Sequence, residues 1–351
     1  MTDHRRRPAR SAVLSSVLGL IALNLGLAGY LAAKPGLRDP MFDLPAEHYK
    51  SRLASAPEPK PITIVFLGSS RTGYGIRPAV TEEIVSAQIG RPCIAHNLHV
   101  PANGPIGQRV HWQRLLDRNI RPDIVVLEIL PARFSGSDKL EEEMSAFRGD
   151  RMTWSEVQLV RSYGFPEQVE KDWREANWNP WFGFRFQILG GLQPKWLPNT
   201  VTQHERRADS DLGWKKPFFD KHLPEKYPEA IAGGKTVLFD KMQNIRFDDT
   251  AANCFRDLIR SCRESGTVPT AFVTPEGAAF REWYTPQTNE QIRGFVEELK
   301  GQGVISADGR AWLPEVAFSD GHHAVRSWAD EYTRRVTEAV ILPAVKGFKS
   351  R

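Results

Sequence analysis

The sequence predicts an α/β domain built on a mostly parallel sheet and preceded by one membrane-spanning helix. Three observations predict it. Ile62–Leu67 and Ile124–Ile129 are almost wholly apolar and rich in β-branched residues, as strands buried on both faces of a parallel sheet are. Strand-like and helix-like segments alternate around them at a spacing that fits βαβ units. Near the N-terminus, Ser11–Ala33 carries no charge over the roughly 20 residues that a bilayer core requires.

The flanks of that run assign it a direction. Arg5, Arg6, Arg7 and Arg10 face only Asp3, so the first ten residues hold most of the formal net charge of +5. They read as a cytoplasmic basic tail (1–10), followed by the anchor (11–33) and an exported remainder. A cleaved signal peptide is the rival reading, because Leu31-Ala32-Ala33 is rich in small residues. Signal h-regions run only ~7–15 residues, which favours an uncleaved anchor. The rest of the chain is close to neutral and shows no basic stripe with interleaved aromatics, which excludes a nucleic-acid partner.

The elements follow in order. Residues 34–60 are rich in Pro, Ala and charge without a sustained period, and read as a linker. From 61 to 345 the α/β rhythm runs: strand Ile62–Leu67, helix Pro78–Gln88, strand Cys93–Leu98, helix Ile106–Arg118 and strand Ile124–Ile129. It breaks between about 134 and 246, where Trp173, Trp178, Trp181, Trp196 and Trp214 gather in an inserted, cap-like segment. It resumes with a helix capped by Asp249 or Thr250 and ending near Gly266, strand Thr270–Val273, helix Pro286–Lys300 and a final helix Ala324–Leu342. Cys254 and Cys262 fall in line with Leu258 on the first of these helices. Eight residues span ~12 Å along a helix, beyond disulfide reach, so they are expected as buried thiols. With Cys93 they make an odd count and no zinc-type spacing, and no metal or other cofactor is expected.

Two motifs carry chemistry. Gly68-Ser69-Ser70-Arg71 ends the first strand, so a small residue permits a sharp turn and a serine opens the next helix above the carboxyl edge of the sheet. There a hydroxyl can be activated as nucleophile and turn N–H groups can stabilise an oxyanion; equally, either serine can simply cap the helix. Asp320-Gly321-His322-His323 precedes the last helix, and an Asp three residues before a His can orient the imidazole toward a nucleophile. The His pair also invites a metal, but lacks the third ligand catalytic zinc takes.

In these blocks and in their order the sequence resembles the SGNH/GDSL hydrolase family. Gly68-Ser69-Ser70 is similar to its Gly-Asp-Ser block and Asp320–His323 to its Asp-x-x-His block, over about residues 61–131 and 267–345. The resemblance implies a three-layer α/β/α domain and a Ser70–His323–Asp320 triad acting on esters, as esterase or O-acyltransferase. Ser69 in place of Asp resembles the membrane-associated acyltransferase-like members. It implies an acyl ester or a cell-envelope or exopolysaccharide glycan as substrate, with a membrane acyl-transfer protein as a compatible partner. Its oxyanion donors would be Ser70 with Asn103 and Gly104 from Asn97–Pro105. The family's third block places an Asn where this chain has Ala132.

That departure keeps a second class open, a non-catalytic envelope protein that binds a glycan or a partner on the same fold. The tryptophans suit sugar stacking or ordinary cap packing. Other residues have two readings each. Glu128 lines the pocket or accepts structural hydrogen bonds; Arg71 holds an anionic substrate or an internal ion pair; His96, His99 and His111 are loop histidines or ligands.

Overall fold

The computed structural model describes residues 6–134, 143, 149–164, 167–197, 212–217, 219–247 and 249–349. The chain begins with helix α1 (Arg6–Ala33), within which Arg10–Leu31 is long and apolar enough to cross a membrane. Helix α2 (Pro40–Ala54) follows, then strand β1 (Ile62–Leu67), α3 (Ser70–Gly75), α4 (Pro78–Ile89), β2 (Cys93–Asn97), α5 (Pro105–Asp117) and β3 (Ile124–Ile129). The middle holds α6 (Trp154–Ser162), α7 (Glu167–Trp178), α8 (Pro180–Gly183), α9 (Arg185–Leu192) and α10 (Tyr227–Gln243). The chain closes with α11 (Thr250–Glu264), β4 (Val268–Val273), α12 (Pro286–Gly301), β5 (Ile305–Asp308), α13 (Ala329–Val336) and, beyond one π turn, α14 (Leu342–Lys349).

Contacts divide the chain into two compact units. One comprises Met1–Asp43, Arg148–Arg161 and Phe165–Arg207; the other comprises Leu44–Phe147, Ser162–Gly164 and Ala208–Arg351 and holds the whole sheet. In that second unit five strands run parallel in the order β2-β1-β3-β4-β5. All six residues of β1 and of β3 are buried, which is why their side chains do not alternate in polarity. One face of the sheet offers Ile62, Ile64, Phe66, Ile124, Val126 and Phe272 to Tyr332, Val336, Val340 and Ile341 of the C-terminal helices. Asp123 ties β1 to β3 by accepting from Thr63 N at 2.8 Å and Thr63 Oγ1 at 2.7 Å. β1 is flanked by β2 on one side and β3 on the other, so their connections diverge at its carboxyl end. Such a switch point opens a crevice above the sheet.

Part of the expected linker is helical. Phe42, Ala46 and Tyr49 recur at helical spacing and are buried in α2, and Arg52 donates to the Ala95 carbonyl at 2.9 Å. Pro45 inside that helix masked the period. The last helix begins later than expected, through a 3₁₀ turn at Arg326–Trp328, and extends further, to Lys349. Cys254 and Cys262 are buried free thiols beside Leu258 on α11, whose N-cap Asp249 accepts from Ala252 N. The first unit has its own small core, in which Leu31, Ala176 and Phe184 meet.

Candidate active site

The site begins with a glycine that cannot be replaced cheaply. A Cβ on Gly68 would lie 2.4 Å from Glu128 Oε2 and 2.4 Å from Thr72 Oγ1. That close approach lets the Glu128 side chain, at the end of β3, reach under the start of α3. Its fully buried carboxylate accepts from Ser69 N at 2.8 Å, Ser69 Oγ at 2.6 Å, Thr72 N at 3.3 Å and the Thr72 hydroxyl. A buried carboxylate is tolerable only with such a full set of donors. Of the two readings for Glu128, the hydrogen-bonding one holds.

The two serines divide the work. Ser69 is the N-cap, with extended backbone and Oγ accepting from Arg71 N at 3.2 Å. Ser70, the first helical residue, is therefore not needed as a cap, and its Oγ lies 2.8 Å from His323 Nε2. Its backbone N–H, one of the orphan donors of the first turn, has no acceptor among the described residues.

His323 is set by a tight loop. An antiparallel bridge between Phe318 and Ala324 closes it, with Ser319 N donating to the His323 carbonyl at 3.0 Å. Gly321 takes φ +86°, a left-handed conformation that other residues resist. The turn brings Asp320 Oδ1 to His323 N at 2.8 Å and His322 N at 3.1 Å, and Oδ2 to His323 Nδ1 at 2.6 Å. Burial pushes the Asp320 carboxyl up, but the two histidine rings and the His323 hydrogen bonds outweigh it and hold it well below the usual carboxylate range. An ionised Asp320 assigns the proton to His323 Nδ1 and leaves Nε2 to accept from Ser70. Tyr74 holds the ring edge-on, with centroids 5.3 Å apart. The His322 ring packs on Phe280 and on His323, and its Nδ1 has no hydrogen-bond partner. Burial keeps it neutral.

Ser70 and His323 sit between two cavities. One, about 300 Å³, runs from Ser70 past Leu130, Ala132, Val237 and Leu238, with Arg71, Arg133, Lys241 and His322 also on its walls. The other, about 380 Å³, lies on the Asp320 side against Tyr74, Pro217 and Phe219. Helix α10 spans both: Ala230 faces the second, and Gly234, Val237, Leu238 and Lys241 face the first. Sequence reasoning missed this helix, although the spacing from Ala230 through Gly234, Val237 and Leu238 to Lys241 marks one face.

Two expected oxyanion donors lie elsewhere. Gly104 N donates to Glu143 Oε1 at 3.0 Å, and Gly107 N does so at 2.6 Å, so the start of α5 is already filled by an internal carboxylate. Burial pushes that carboxyl up to about 7. The Asn103 amide nitrogen lies 3.4 Å from the Gly68 carbonyl and 3.3 Å from His111 Nδ1. Neither residue is among those lining the first cavity, whereas Ala132 is.

The remaining candidates have structural explanations. Arg71 pairs with Glu276 at 2.6 Å and donates to Thr274 at 3.1 Å, both deep in the domain. His96 packs on Tyr49 and His48, and His99 fills the space above Gly73; burial lowers each to about 3, so both rings are neutral. Among the described residues, Asp320, His322 and His323 are the one group whose ligand atoms lie close enough to share an ion. Both His323 nitrogens are already engaged there, by Asp320 and Ser70. No protein-family model matches this chain, and no curated protein matches it.

Proposed function

We propose that this chain is an SGNH-like serine esterase or O-acyltransferase with a three-layer α/β/α domain, held at a membrane by α1 and exported beyond it. The observation that carries the reading is the relay from Ser70 Oγ to His323 Nε2 at 2.8 Å and from His323 Nδ1 to Asp320 at 2.6 Å. Two helix groups support the layered arrangement: α4 with the C-terminal helices, and α5 with α11. The uncharged span and its arginine-rich flank support export.

Each group then has a task. Ser70 Oγ attacks the ester carbonyl and its proton passes to His323 Nε2, while the Ser70 N–H meets the developing oxyanion. The tetrahedral adduct collapses, the ester C–O bond breaks, and His323 returns the proton to the departing alcohol. Acyl-Ser70 remains. A water or sugar hydroxyl next gives its proton to His323 and attacks the acyl carbon; the acyl–Oγ bond breaks and His323 returns the proton to Ser70 Oγ. Asp320 holds the imidazole and balances its charge without taking the proton. The cavity lined by Leu130, Val237 and Leu238 suits an acyl chain. The second cavity also borders Ser70 and His323 and suits the alcohol, with Tyr74 and Phe219 as rings on which a sugar can stack.

A second reading, a glycan- or partner-binding protein that retains the fold, is favoured by Ala132 at the third block and by the filled N–H of Gly104. A fluorophosphonate probe separates the two. Labelling of Ser70, absent in Ser70→Ala, supports the enzyme; an unlabelled wild-type chain supports the binding protein. Release of p-nitrophenol from short-chain esters, with and without an oligosaccharide acceptor, then distinguishes hydrolysis from transfer.

A further inference from the structure

Within the unit that contains α1, helices α7, α8 and α9 carry both buried and exposed apolar residues. Ala176, Phe184 and Ile188 close the small core with Leu27, Leu31 and Leu37. On these helices and on the 3₁₀ turn Pro194–Trp196 that follows them, large apolar side chains are bare: Trp178 is 88% exposed, Leu192 75%, Trp196 71%, Phe182 65% and Trp181 50%. Single exposed apolar residues are common, but five large ones within one short stretch mark an interaction surface.

Two observations say what covers it. The first is level. The apolar span ends at Leu31, and the helices grip it at Leu27 and Leu31. At 1.5 Å per residue, the contact covers roughly the last 6 Å of the span, about where hydrocarbon meets headgroups. Tryptophan favours that boundary because its ring is apolar and its N–H polar. The second is charge. From Asn177 to Trp196 the chain has no Asp or Glu, and its charged residues are Arg185 and Lys195. The Arg185 guanidinium sits 3.9 Å over the Phe182 ring and 4.5 Å over that of Phe186, which covers the cation's apolar faces. Exposed aromatics with cations and no carboxylates suit a layer of lipid headgroups.

We infer that residues 178–196 lie in the lipid headgroup region on the side of the bilayer where α1 ends, as an aromatic belt around the anchor. The inference rests on α1 crossing the bilayer and is independent of the catalytic reading. The belt gives the chain a second hold on the membrane, shallow where α1 is deep.

Tryptophan fluorescence tests this on the full chain, because α1 contains no tryptophan. The protein is placed in nanodiscs of phosphatidylcholine brominated near the headgroup or deep in the acyl chain, and in unbrominated discs. Shallow bromines are expected to quench up to the share contributed by three of the ten tryptophans, and deep bromines less. Trp178→Phe/Trp181→Phe/Trp196→Phe, which keeps the apolar surface, is expected to lose most of that quenching. An unquenched wild type in a carbonate-resistant membrane preparation overturns the belt while leaving the anchor. Extraction by carbonate overturns both. Quenching that survives in the triple variant assigns the contact to other tryptophans and overturns the inference. Loss of quenching with two copies per disc, or on adding a polysaccharide, replaces the bilayer with a second copy or a glycan.

Discussion

Two helices start at the carboxyl edge of the sheet, and comparing them shows what makes one a candidate reaction centre. Each follows a strand, α3 after β1 and α5 after β2, and each meets a buried glutamate. At α3, Glu128 comes from the adjacent strand and takes the N–H groups of Ser69 and Thr72, leaving that of Ser70 without a partner among the described residues. At α5, Glu143 takes the N–H groups of Gly104 and Gly107. The first start is braced from below and open at Ser70; the second is occupied. A helix N-terminus attracts anions by its exposed N–H groups and dipole, so what matters is whether the protein has already supplied the anion.

The largest effects are expected where the open start meets the Asp320 loop. Ser70→Ala removes the proposed nucleophile and His323→Ala the proposed base, and each should abolish labelling by a fluorophosphonate. Asp320→Asn keeps the shape but reverses the preferred tautomer of His323, and should lower labelling and ester turnover by roughly 10⁴-fold. A variant at any of the three that retains full rate would break the comparison, since the open start would then be no more reactive than the filled one.

Glu143 tests the filled start through pH. Its folded pKa of about 7 lies above the ordinary carboxyl value of 4.5. Between those values the folded chain keeps a proton that the unfolded chain releases. Stability is therefore full below about 4.5, falls as pH rises toward 7, and levels off above it. The shift corresponds to a cost of about 3 kcal/mol at pH 8. Glu143→Gln keeps an oxygen for Gly104 and Gly107 and abolishes that dependence. Its melting temperature relative to wild type should therefore be higher at pH 8 than at pH 5. An equal difference at both pH values would mean that Glu143 is ionised in the folded chain throughout. Gly68→Ala tests the braced start. A Cβ 2.4 Å from Glu128 Oε2 forces that carboxylate off its donors, and overpacking of this kind costs about 1–3 kcal/mol. Thermal unfolding reads it, and a melting temperature equal to wild type would show that Glu128 yields freely.

What the sequence made legible follows the same contrast. Contiguous signals were readable: the runs of β1 and β3, the Asp249 cap, the buried face of Cys254, Leu258 and Cys262, and the Asp-x-x-His turn. Each depends on neighbours within one element. Weak local signals were missed. β5 has the sequence Ile-Ser-Ala-Asp, pairs with β4 alone, and offers no apolar run. α10 contains Gly233-Gly234, poor helix formers, and α2 contains Pro45. Long-range partners were the least legible. Gly104 looked like a free donor because its acceptor, Glu143, lies 39 residues further on. Ser69 and Ser70 are separable as cap and candidate nucleophile through the bond from Ser69 to Glu128, 59 residues away.

The smallest expected effect is at His322, and it tests the assignment of the neighbouring histidine. His322 lines the first cavity and stacks 4.2 Å from the His323 ring, so by proximity alone it competes for the catalytic role. Its bonding argues otherwise. Its hydrogen bond to the loop is made by its backbone N–H, on Asp320 at 3.1 Å, which alanine retains; its ring adds a contact of 3.5 Å from Nδ1 to Asp320 Oδ1. Its Nδ1 has no hydrogen-bond partner, and burial holds the ring neutral. His322→Ala therefore removes packing against Phe280 and His323 and no step of proton transfer. The cost should stay under about 1 kcal/mol of transition-state stabilisation, a factor of about five in labelling rate. A loss as deep as that of His323→Ala would instead place the base at His322. The 2.8 Å contact between Ser70 and His323 would then be a resting arrangement that the reaction does not use.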